Sequence, residues 1–288
     1  MIVLWAVPGA HAAVVPIGHP GRMTVAADRR SAPALPALGL LSAAVVLGLT
    51  VRFALLSGTG QQWDDDAMST VYAGREARLT VLSVLGRVSI GLVLLVSATC
   101  VVAALLRGRL DLALGALVVV GGANVTTQLL KHTVIDRPDF GLGTSNSLPS
   151  GHTTVVASAV AAAVLVAPSA LRGLLALGGA AATTLTGAST IVASWHRPAD
   201  IVAALAVALG WVALVALVLR GRWSASSREL VSAAVGAGAG LVALVAIGVR
   251  PVTGWSGFAE AAVVLGAVAA VTALFVAAVC AVAPRESQ

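Results

Sequence analysis

Residues 201–219, IVAALAVALGWVALVALVL, form a run of nineteen residues without a charged side chain. A helix of about 20 apolar residues is long enough to cross the hydrocarbon core of a bilayer, which is roughly 30 Å thick. Similar runs recur along the chain, and short polar intervals separate them. Of the 288 residues, 58% are apolar and 10% are charged, and the mean hydropathy is +0.97. These values exclude a soluble enzyme and predict an integral membrane protein.

The fold class follows from the continuity of the apolar runs. The strands of a membrane barrel would show segments of about 10 residues with alternating hydropathy, whereas these runs are unbroken. We therefore predict an all-α, polytopic transmembrane bundle of eight helices. Their expected ranges are 36–57, 82–106, 110–130, 152–168, 172–194, 200–220, 230–249 and 258–282.

The distribution of the basic residues indicates how the chain is oriented in the membrane. The formal net charge of +6 would suggest nucleic-acid binding in a soluble chain, but the arginines lie mostly at the ends of predicted helices. We expect no nucleic-acid partner. A cytoplasmic N-terminus places ten basic residues inside and six outside, so the positive-inside rule predicts that both termini are cytoplasmic. Cys100 and Cys280 lie within apolar runs, which gives no sign of a disulfide framework.

The longest polar interval between predicted helices covers residues 58–78 and contains Asp64, Asp65 and Asp66. We expect a solvated surface loop with a short interfacial helix, because a run of charges is usually exposed. A site for a divalent cation is the alternative.

A first polar segment follows the third predicted helix. Lys131 is the only lysine of the chain, and it follows Asn124 and Gln128 at spacings that place the three residues on one helix face. Arg137 comes next, directly before Pro138, and a residue before proline disfavours helix. Two cations therefore flank a short loop on the predicted outer side.

A second segment, Pro149-Ser150-Gly151-His152, precedes the fourth predicted helix. Proline and glycine favour a tight turn, and the unpaired backbone N–H groups at the start of a helix form an anion site. An ordinary N-terminal cap with an incidental histidine is the alternative for this segment alone.

A third segment places His196 and Asp200 four residues apart across a predicted helix start. A carboxylate that binds one imidazole nitrogen fixes the tautomer and leaves the other nitrogen free to attack an electrophile. Taken alone, the pair also fits an interfacial histidine that is capped by an aspartate.

Together the three segments offer two cations, a backbone N–H cradle and two histidines, one of them with an orienting carboxylate. This set of groups suits phosphoryl transfer, in which positioning and charge stabilisation supply most of the catalysis. Acidic residues do not cluster with His or Cys at ligand spacings, so we expect no metal and no cofactor. An anion or proton transporter is the alternative from another class, although the sequence shows no convincing internal repeat.

The segments resemble the type 2 phosphatidic acid phosphatase (PAP2) family, whose pattern is a Lys and an Arg-Pro, then Pro-Ser-Gly-His, then Ser-Arg with His-x-x-x-Asp. The resemblance covers about residues 36–220. It implies that His196 is a nucleophile that forms a phosphohistidine, that Asp200 orients it and that His152 protonates the leaving group, without a metal. The phosphate-binding positions that it implies are Lys131, Arg137, Ser150, Gly151 and Thr190.

Two departures from the family pattern concern the phosphate-binding positions. Five residues separate Lys131 from Arg137, where the family has six. Thr190 follows Ser189, where the family has an arginine, and losing a bidentate arginine–phosphate contact costs roughly a few kcal/mol unless another cation replaces it. Arg197 and Arg87 are the two substitutes that the sequence suggests.

The resemblance also implies a domain organisation. Residues 34–222 are expected to form a six-helix catalytic domain, and residues 223–288 an additional two-helix transmembrane hairpin. Residues 1–33 are expected to be a disordered cytoplasmic tail or an over-extended start.

A phosphate site among apolar helices at the membrane surface suits a lipid substrate. We therefore predict hydrolysis of a lipid phosphate or a polyprenyl (di)phosphate at the extracytoplasmic face of a bacterial cell membrane. The alternatives are a phosphotransferase and a catalytically impaired protein that binds or transports a lipid phosphate, because the motifs recognise phosphate and not the alcohol it is attached to.

Overall fold

The computed structural model describes residues 34–88, 90–219 and 221–285. Within these ranges the chain forms ten α-helices and two short strands. The helices are α1 (Ala34–Thr50), α2 (Gly58–Met68), α3 (Arg75–Arg87), α4 (Ile90–Leu106), α5 (Leu110–Leu129), α6 (Gly151–Val166), α7 (Arg172–Val192), α8 (Pro198–Val218), α9 (Ser227–Ile247) and α10 (Phe258–Val282). The strands are β1 (Val71–Ala73) and β2 (Val249–Pro251). The expectations for residues 1–33 lie outside the described residues.

Six of the described helical segments are long and apolar enough to cross a membrane. They are Ala34–Leu55, Leu110–Val134, Ser169–Val192, Pro198–Val218, Ser227–Ile247 and Gly254–Val282. Single π-helical turns extend α1 and α5 at their C-terminal ends. The chain is thus an all-α, polytopic integral membrane protein, which confirms the predicted fold class.

The other two predicted spans differ in detail from the expectation. The range 82–106 holds parts of two helices, α3 and α4, which are bent by 45° relative to each other. Gly86 and Arg87 interrupt the apolar run there, because glycine weakens a helix and a charge is costly inside a bilayer. Helix α6 has 16 residues, or about 24 Å at 1.5 Å per residue. It therefore crosses the hydrocarbon core only together with the residues that flank it.

Small residues allow the central helices to approach closely. A Cβ atom on Gly122 of α5 would lie 2.5 Å from the ring of Trp211 on α8, and one on Gly179 of α7 would lie 2.5 Å from Val160 of α6. Because lipid tails are as apolar as the helices, close packing of small residues is a main source of helix association in membranes. The helices α5 to α8 are held together in this way.

The last two helices pack directly on the central ones. A Cβ atom on Gly236 of α9 would lie 2.0 Å from the carbonyl oxygen of Leu177 on α7, so the two backbones are in contact. The residues directly after α10 are held by Arg172 at the start of α7. Its guanidinium donates hydrogen bonds to the carbonyl oxygens of Ala283 at 3.0 Å and Pro284 at 2.6 Å. Helix α9 and the residues after α10 are thereby fixed against α7.

Polar segments cover the end of the bundle at which α8 begins. Strand β1 pairs antiparallel with β2, with Tyr72 opposite Arg250. Gln61 of α2 donates hydrogen bonds to the carbonyl oxygens of Leu55 at 2.7 Å and Pro138 at 3.0 Å. The bond to Pro138 ties α2 to the loop between α5 and α6. The interval that was expected to be a surface loop with a short interfacial helix thus contains α2 and β1.

Candidate active site

His196 and Asp200 form a hydrogen-bonded pair at the start of α8. The His196 Nδ1 atom lies 3.0 Å from Asp200 Oδ2, and the residues are 8% and 2% exposed. The chain reaches this position through Ser194, whose φ of 59° is uncommon for a residue other than glycine. Since Nδ1 is engaged by the carboxylate, Nε2 is the ring nitrogen that can face a substrate.

The Asp200 carboxylate is held by two further donors. The Ser147 hydroxyl donates to Asp200 Oδ2 at 2.6 Å, and the Arg197 backbone N–H donates to the same oxygen at 3.0 Å. Oxygen Oδ2 thus accepts from one side chain, one backbone group and the His196 ring. These contacts fix the position and the plane of the carboxylate, which in turn orients the imidazole.

Helix α2 is not part of the three sequence motifs, but it contacts Arg197 and Ala199, which lie between His196 and Asp200. Asp65 forms an ion pair with Arg197, with 2.9 Å between Asp65 Oδ1 and Arg197 Nη2. Arg197 Nη1 also donates to the Ser147 hydroxyl at 3.3 Å. Asp64 Oδ1 accepts a hydrogen bond from the backbone N–H of Ala199 at 2.9 Å. Two of the three aspartates, Asp64 and Asp65, are therefore partly buried against the start of α8, whereas Asp66 is exposed.

The environment of Asp64 changes its acidity. Burial raises the pKa of the Asp64 carboxyl from 3.8 to about 7, and the negative charge of Asp200 adds to the rise. The hydrogen bond from Ala199 and the positive charges of Arg197 and Arg137 lower this pKa and offset part of the shift. Asp64 thus titrates near neutral pH beside the His196–Asp200 pair.

The turn at residues 149–152 is attached to the same helix start. The Ser150 backbone N–H donates to the Asp200 carbonyl oxygen at 2.9 Å, and the Leu148–Pro149 peptide bond is cis. The Ser150 hydroxyl accepts from the Thr153 backbone N–H at 3.4 Å and from the Thr153 hydroxyl at 3.0 Å. Ser150 is the N-terminal cap of α6, so its side chain is occupied within the protein.

His152 lies in the first turn of α6, close enough to His196 for their charges to interact. Its charge interacts with those of His196 and Lys131, and its ring lies 5.4 Å from the Trp195 ring, measured between centroids. The two motif histidines, 44 positions apart in the sequence, therefore belong to one site. Trp195 is 45% exposed and forms part of the wall beside His152.

The cations of the first motif border this site. Lys131 lies in the π-helical turn after α5, and its charge interacts with that of Asp200. Arg137 is 5% exposed, and its Nε donates to the Gly143 carbonyl oxygen at 3.3 Å. Within the described residues its Nη2 atom is buried without a hydrogen-bond partner. Burial and the charge of Arg197 lower the pKa of Arg137, while Asp200 and other nearby carboxylates raise it.

Ser189 and Thr190 differ in what their hydroxyl groups contact. Thr190 is fully buried, and its hydroxyl donates to the Gly187 carbonyl oxygen at 2.6 Å. The Ser189 hydroxyl is also buried but has no partner among the residues that the structure describes. A buried hydroxyl without a partner is unfavourable unless a ligand satisfies it. Of the two hydroxyl groups, that of Ser189, which was named only as part of the motif, is thus the one without a partner in the described residues.

The two substitutes that the sequence suggested for the missing arginine lie in different places. Arg197 is part of the site, but its guanidinium is paired with Asp65 and Ser147, on the Nδ1 side of the histidine. Arg87 is exposed at the end of α3. Beside the His196–Asp200 pair, Arg137 has a buried donor, Nη2, without a hydrogen-bond partner among the described residues.

The other features of the site concern metals and exposed polar groups. In residues 34–88, 90–219 and 221–285, no group of three or more His, Cys, Asp or Glu side chains is arranged to hold a metal ion.

Gly151 lies at the rim of the site, where its Cβ position would be 3.9 Å from Gln128 Nε2. Gln128 is exposed, so the opening of the site has a hydrogen-bonding side chain at its edge.

The fold and the site together define an integral membrane protein with an oriented histidine, a second histidine, a buried arginine and a partly buried lysine at one end of its helical bundle. Comparison with models of known families gives a more specific classification. Residues 112–224 match the model of the PAP2 superfamily, which supports the family resemblance for this part of the chain. Members of the superfamily are phosphatases, which supports an activity on phosphate esters. Neither the curated proteins nor the solved structures with which the chain was compared gave a match.

Proposed function

We propose that the protein is a metal-independent phosphatase that hydrolyses a lipid phosphate or polyprenyl (di)phosphate through a phosphohistidine intermediate. The observation that carries the proposal is the buried His196–Asp200 pair, with 3.0 Å between Nδ1 and Oδ2. This bond leaves Nε2 as the nucleophilic atom. The membrane-spanning helices around the site support a lipid as the source of the phosphate.

In the first step, His196 Nε2 attacks the phosphorus atom and forms an N–P bond while the bond from phosphorus to the leaving oxygen breaks. His152 donates a proton to that oxygen, so that the alcohol, or the polyprenyl phosphate in the case of a diphosphate substrate, leaves in its protonated form. Asp200 accepts the Nδ1–H hydrogen bond and stabilises the positive charge that develops on the ring. No further reactant takes part in this step.

In the second step, water attacks the phosphohistidine. His152, deprotonated after the first step, takes a proton from the water, and the N–P bond breaks to release inorganic phosphate and restore neutral His196. Lys131, Arg137 and the N-terminal N–H groups of α6 neutralise the nonbridging oxygens in both steps. The unpartnered Arg137 Nη2 and Ser189 hydroxyl are well suited to such oxygens.

The same proposal places the site on the extracytoplasmic face of a bacterial cell membrane, with both termini in the cytoplasm. The support is the excess of ten basic residues over six on the opposite side. It further assigns the catalytic role to residues 34–222 and treats α9 and α10 as an addition to this domain.

A second proposal is a catalytically impaired protein that binds a lipid phosphate. The observation that favours it is Thr190, because a buried, uncharged residue stands where the family pattern has an arginine. Loss of a charged contact to phosphate weakens ground-state and transition-state binding together, unless Arg137 compensates. A phosphotransferase differs from the first proposal only in the acceptor that replaces water.

Phosphate release by the detergent-purified protein tests these proposals. The substrates are phosphatidic acid, a polyprenyl diphosphate and a soluble phosphate ester, each with EDTA present. We expect release from a lipid substrate by the wild type and its loss in His196→Ala, by at least about 10³-fold, as for other catalytic nucleophiles. His132→Ala is the matched control, because His132 is exposed and outside the motifs.

Each other result is informative. Equal activity of the wild type and His196→Ala would contradict the phosphohistidine route. Activity that requires an added divalent metal would contradict the metal-independent mechanism. Binding of a lipid phosphate without release would favour the impaired protein.

A further inference from the structure

A groove of about 300 Å³ runs between α4, α6 and α7. Its wall on α4 consists of Leu92, Val93 and Val96, and the walls on α6 and α7 are also formed by aliphatic residues and glycines. Such a surface offers no hydrogen bond to a polar ligand. It can accommodate hydrocarbon and excludes a charged head group.

The α6 wall of the groove is the face of the helix that begins with His152. Val155, Val156, Ala159 and Ala163 line the groove, and they follow His152 by three, four, seven and eleven residues. These spacings return to the same side of an α-helix. The groove therefore begins about one helical turn after His152, on the same side of α6. His152 is the residue that is proposed to protonate the leaving oxygen.

The α7 wall leads to the site in the same manner. Ala182, Gly178 and Leu175 line the groove and precede Ser189 by seven, eleven and fourteen residues, which again share one helix face. Helices α6 and α7 follow one another in the chain with only a short connection, so they are antiparallel. The start of α6 and the end of α7 meet at the site, and both walls lead there.

The dimensions of the groove suit one hydrocarbon chain. Val155 is about 4.5 Å along the helix axis from His152, and Ala163 is about 12 Å further, at 1.5 Å per residue. A volume of about 300 Å³ is at the lower end for small-ligand sites. Gly178 and Ala182 are exposed, so the groove is open sideways, and a chain can enter it from the bilayer.

We propose that this groove holds the hydrocarbon chain next to the phosphate of the lipid substrate and thereby sets the leaving oxygen beside His152. The proposal rests on the proposed function, because the phosphate must be bound at His196. A phosphate held there places its ester oxygen near the outer end of both walls. A chain attached to this oxygen continues into the membrane along the groove.

The contribution expected of the groove is positioning more than affinity. The chain is in a hydrocarbon environment both in the bilayer and in the groove, so little free energy of transfer is gained. A fixed chain restricts the orientation of the phosphate, and a misplacement of about 1 Å can cost roughly 100-fold in rate. Filling the groove should therefore lower kcat/KM for an ester with a long chain.

Gly178 provides the substitution that fills the groove. No atom of the described residues lies within 4 Å of the Cβ position of Gly178, so Gly178→Leu adds a side chain to the groove without a backbone clash. Gly238 on α9 is the matched control, since it is also exposed and has open space at its Cβ position. Both variants replace an exposed helical glycine by leucine.

The test compares dodecyl phosphate with butyl phosphate in detergent micelles. The two esters share one head group and differ only in chain length. We expect the ratio of kcat/KM for dodecyl to butyl phosphate to fall about tenfold in Gly178→Leu and to stay at the wild-type value in Gly238→Leu. An unchanged ratio in Gly178→Leu, with both esters hydrolysed, would overturn the groove proposal and leave the proposed function intact.

A second measurement is independent of turnover. His196→Ala is irradiated with a dodecyl phosphate that carries a diazirine at mid-chain, and labelled peptides are mapped by mass spectrometry. Label on the α6 and α7 walls that dodecyl phosphate competes away supports the proposal. Label spread over the lipid-facing helices without competition would overturn it, even if the wild type hydrolysed neither ester and the proposed function had failed.

Discussion

Among individual residues, Ser147 has the most direct contact with the His196–Asp200 pair without belonging to it. Its hydroxyl donates to Asp200 Oδ2 at 2.6 Å, the shortest of the three bonds to that oxygen. Arg197 Nη1 donates to the same hydroxyl, which fixes the direction in which the Ser147 proton points. Ser147 is therefore a positioning residue for Asp200.

Replacing Ser147 by alanine removes this donor. A hydrogen bond to a charged group contributes about 1.5–3 kcal/mol, so we expect kcat to fall about tenfold or more while KM changes little. Steady-state kinetics with a soluble phosphate ester measures both constants. Ser147→Thr retains the hydroxyl and should restore most of kcat; a Thr variant as slow as the Ala variant would contradict the positioning role.

At the residue scale the sequence predicted the motif positions but not their partners. His196, Asp200, His152, Lys131 and Arg137 were all named from local spacing, and the structure brings them to one end of the bundle. The contacts of Asp64 and Asp65 depend on a helix more than 130 positions away from Arg197, and no local pattern encodes such a distance. The unpartnered Ser189 hydroxyl required knowledge of burial, although the motif serine was a signal that could have indicated it.

Among the elements, α2 has the clearest effect on the site, because it is docked on the start of α8. Asp65 binds the Arg197 guanidinium, and Asp64 accepts the Ala199 backbone N–H. An acceptor at the N-terminus of a helix satisfies one of its unpaired N–H groups. The helix that carries Asp200 thus receives part of its capping from a different element.

The raised pKa of Asp64 predicts a pH dependence of stability. Between pH 4 and 7 the folded protein binds a proton at Asp64 that the unfolded chain has released, so the free energy of unfolding falls as the pH rises and levels off above pH 7. The charged groups that face Asp64 are Asp200, Arg197 and Arg137. We expect Asp64→Asn, which keeps the Oδ1 acceptor, to show a smaller fall of Tm between pH 5 and 7 than the wild type.

Thermal unfolding in detergent at pH 5, 6, 7 and 8 measures this difference. Asp66→Asn is the control, because Asp66 is exposed and the only described hydrogen bond to its carboxylate comes from the Gln62 side chain. Its Tm should follow that of the wild type. Parallel curves for Asp64→Asn and the wild type would show that Asp64 does not bind the proton.

The sequence predicted the apolar helices well and the smaller elements poorly. Hydropathy sets the length of a spanning helix, so the ranges of α5 and α7 to α10 agree with the structure to within a few residues. The pairing of β1 with β2 joins three-residue strands that are 178 positions apart between Tyr72 and Arg250. Such short strands have no periodicity to detect, and their pairing depends on where the helices end.

For the molecule as a whole, the packing of α9 against α7 links the C-terminal part to the helix that carries Ser189. Gly236 and Gly240 both face the α7 backbone, where Cβ atoms would lie 2.0 Å and 2.7 Å from carbonyl oxygens. This close approach excludes any side chain at the two positions. The last two helices therefore contribute to the stability of the helices that form the site.

Gly236→Ala should force the two helices apart. Overpacking costs about 1–3 kcal/mol, and we expect Tm in detergent to fall by roughly 5 °C, with lower phosphatase activity because α7 shifts. Gly238→Ala is the matched control, since its Cβ position is open and alanine favours helix. An unchanged Tm in Gly236→Ala would mean that α9 does not hold α7 in place.

The sideways opening of the groove has a consequence for how the two products separate. The proposed phosphate site lies at the helix ends, whereas the groove opens sideways between α4, α6 and α7. Inorganic phosphate would leave along the membrane normal into water, and the lipid alcohol would slide back laterally into the leaflet from which the substrate came. The two departures use perpendicular routes, so neither product obstructs the other, and no lipid needs to change leaflet during a catalytic cycle.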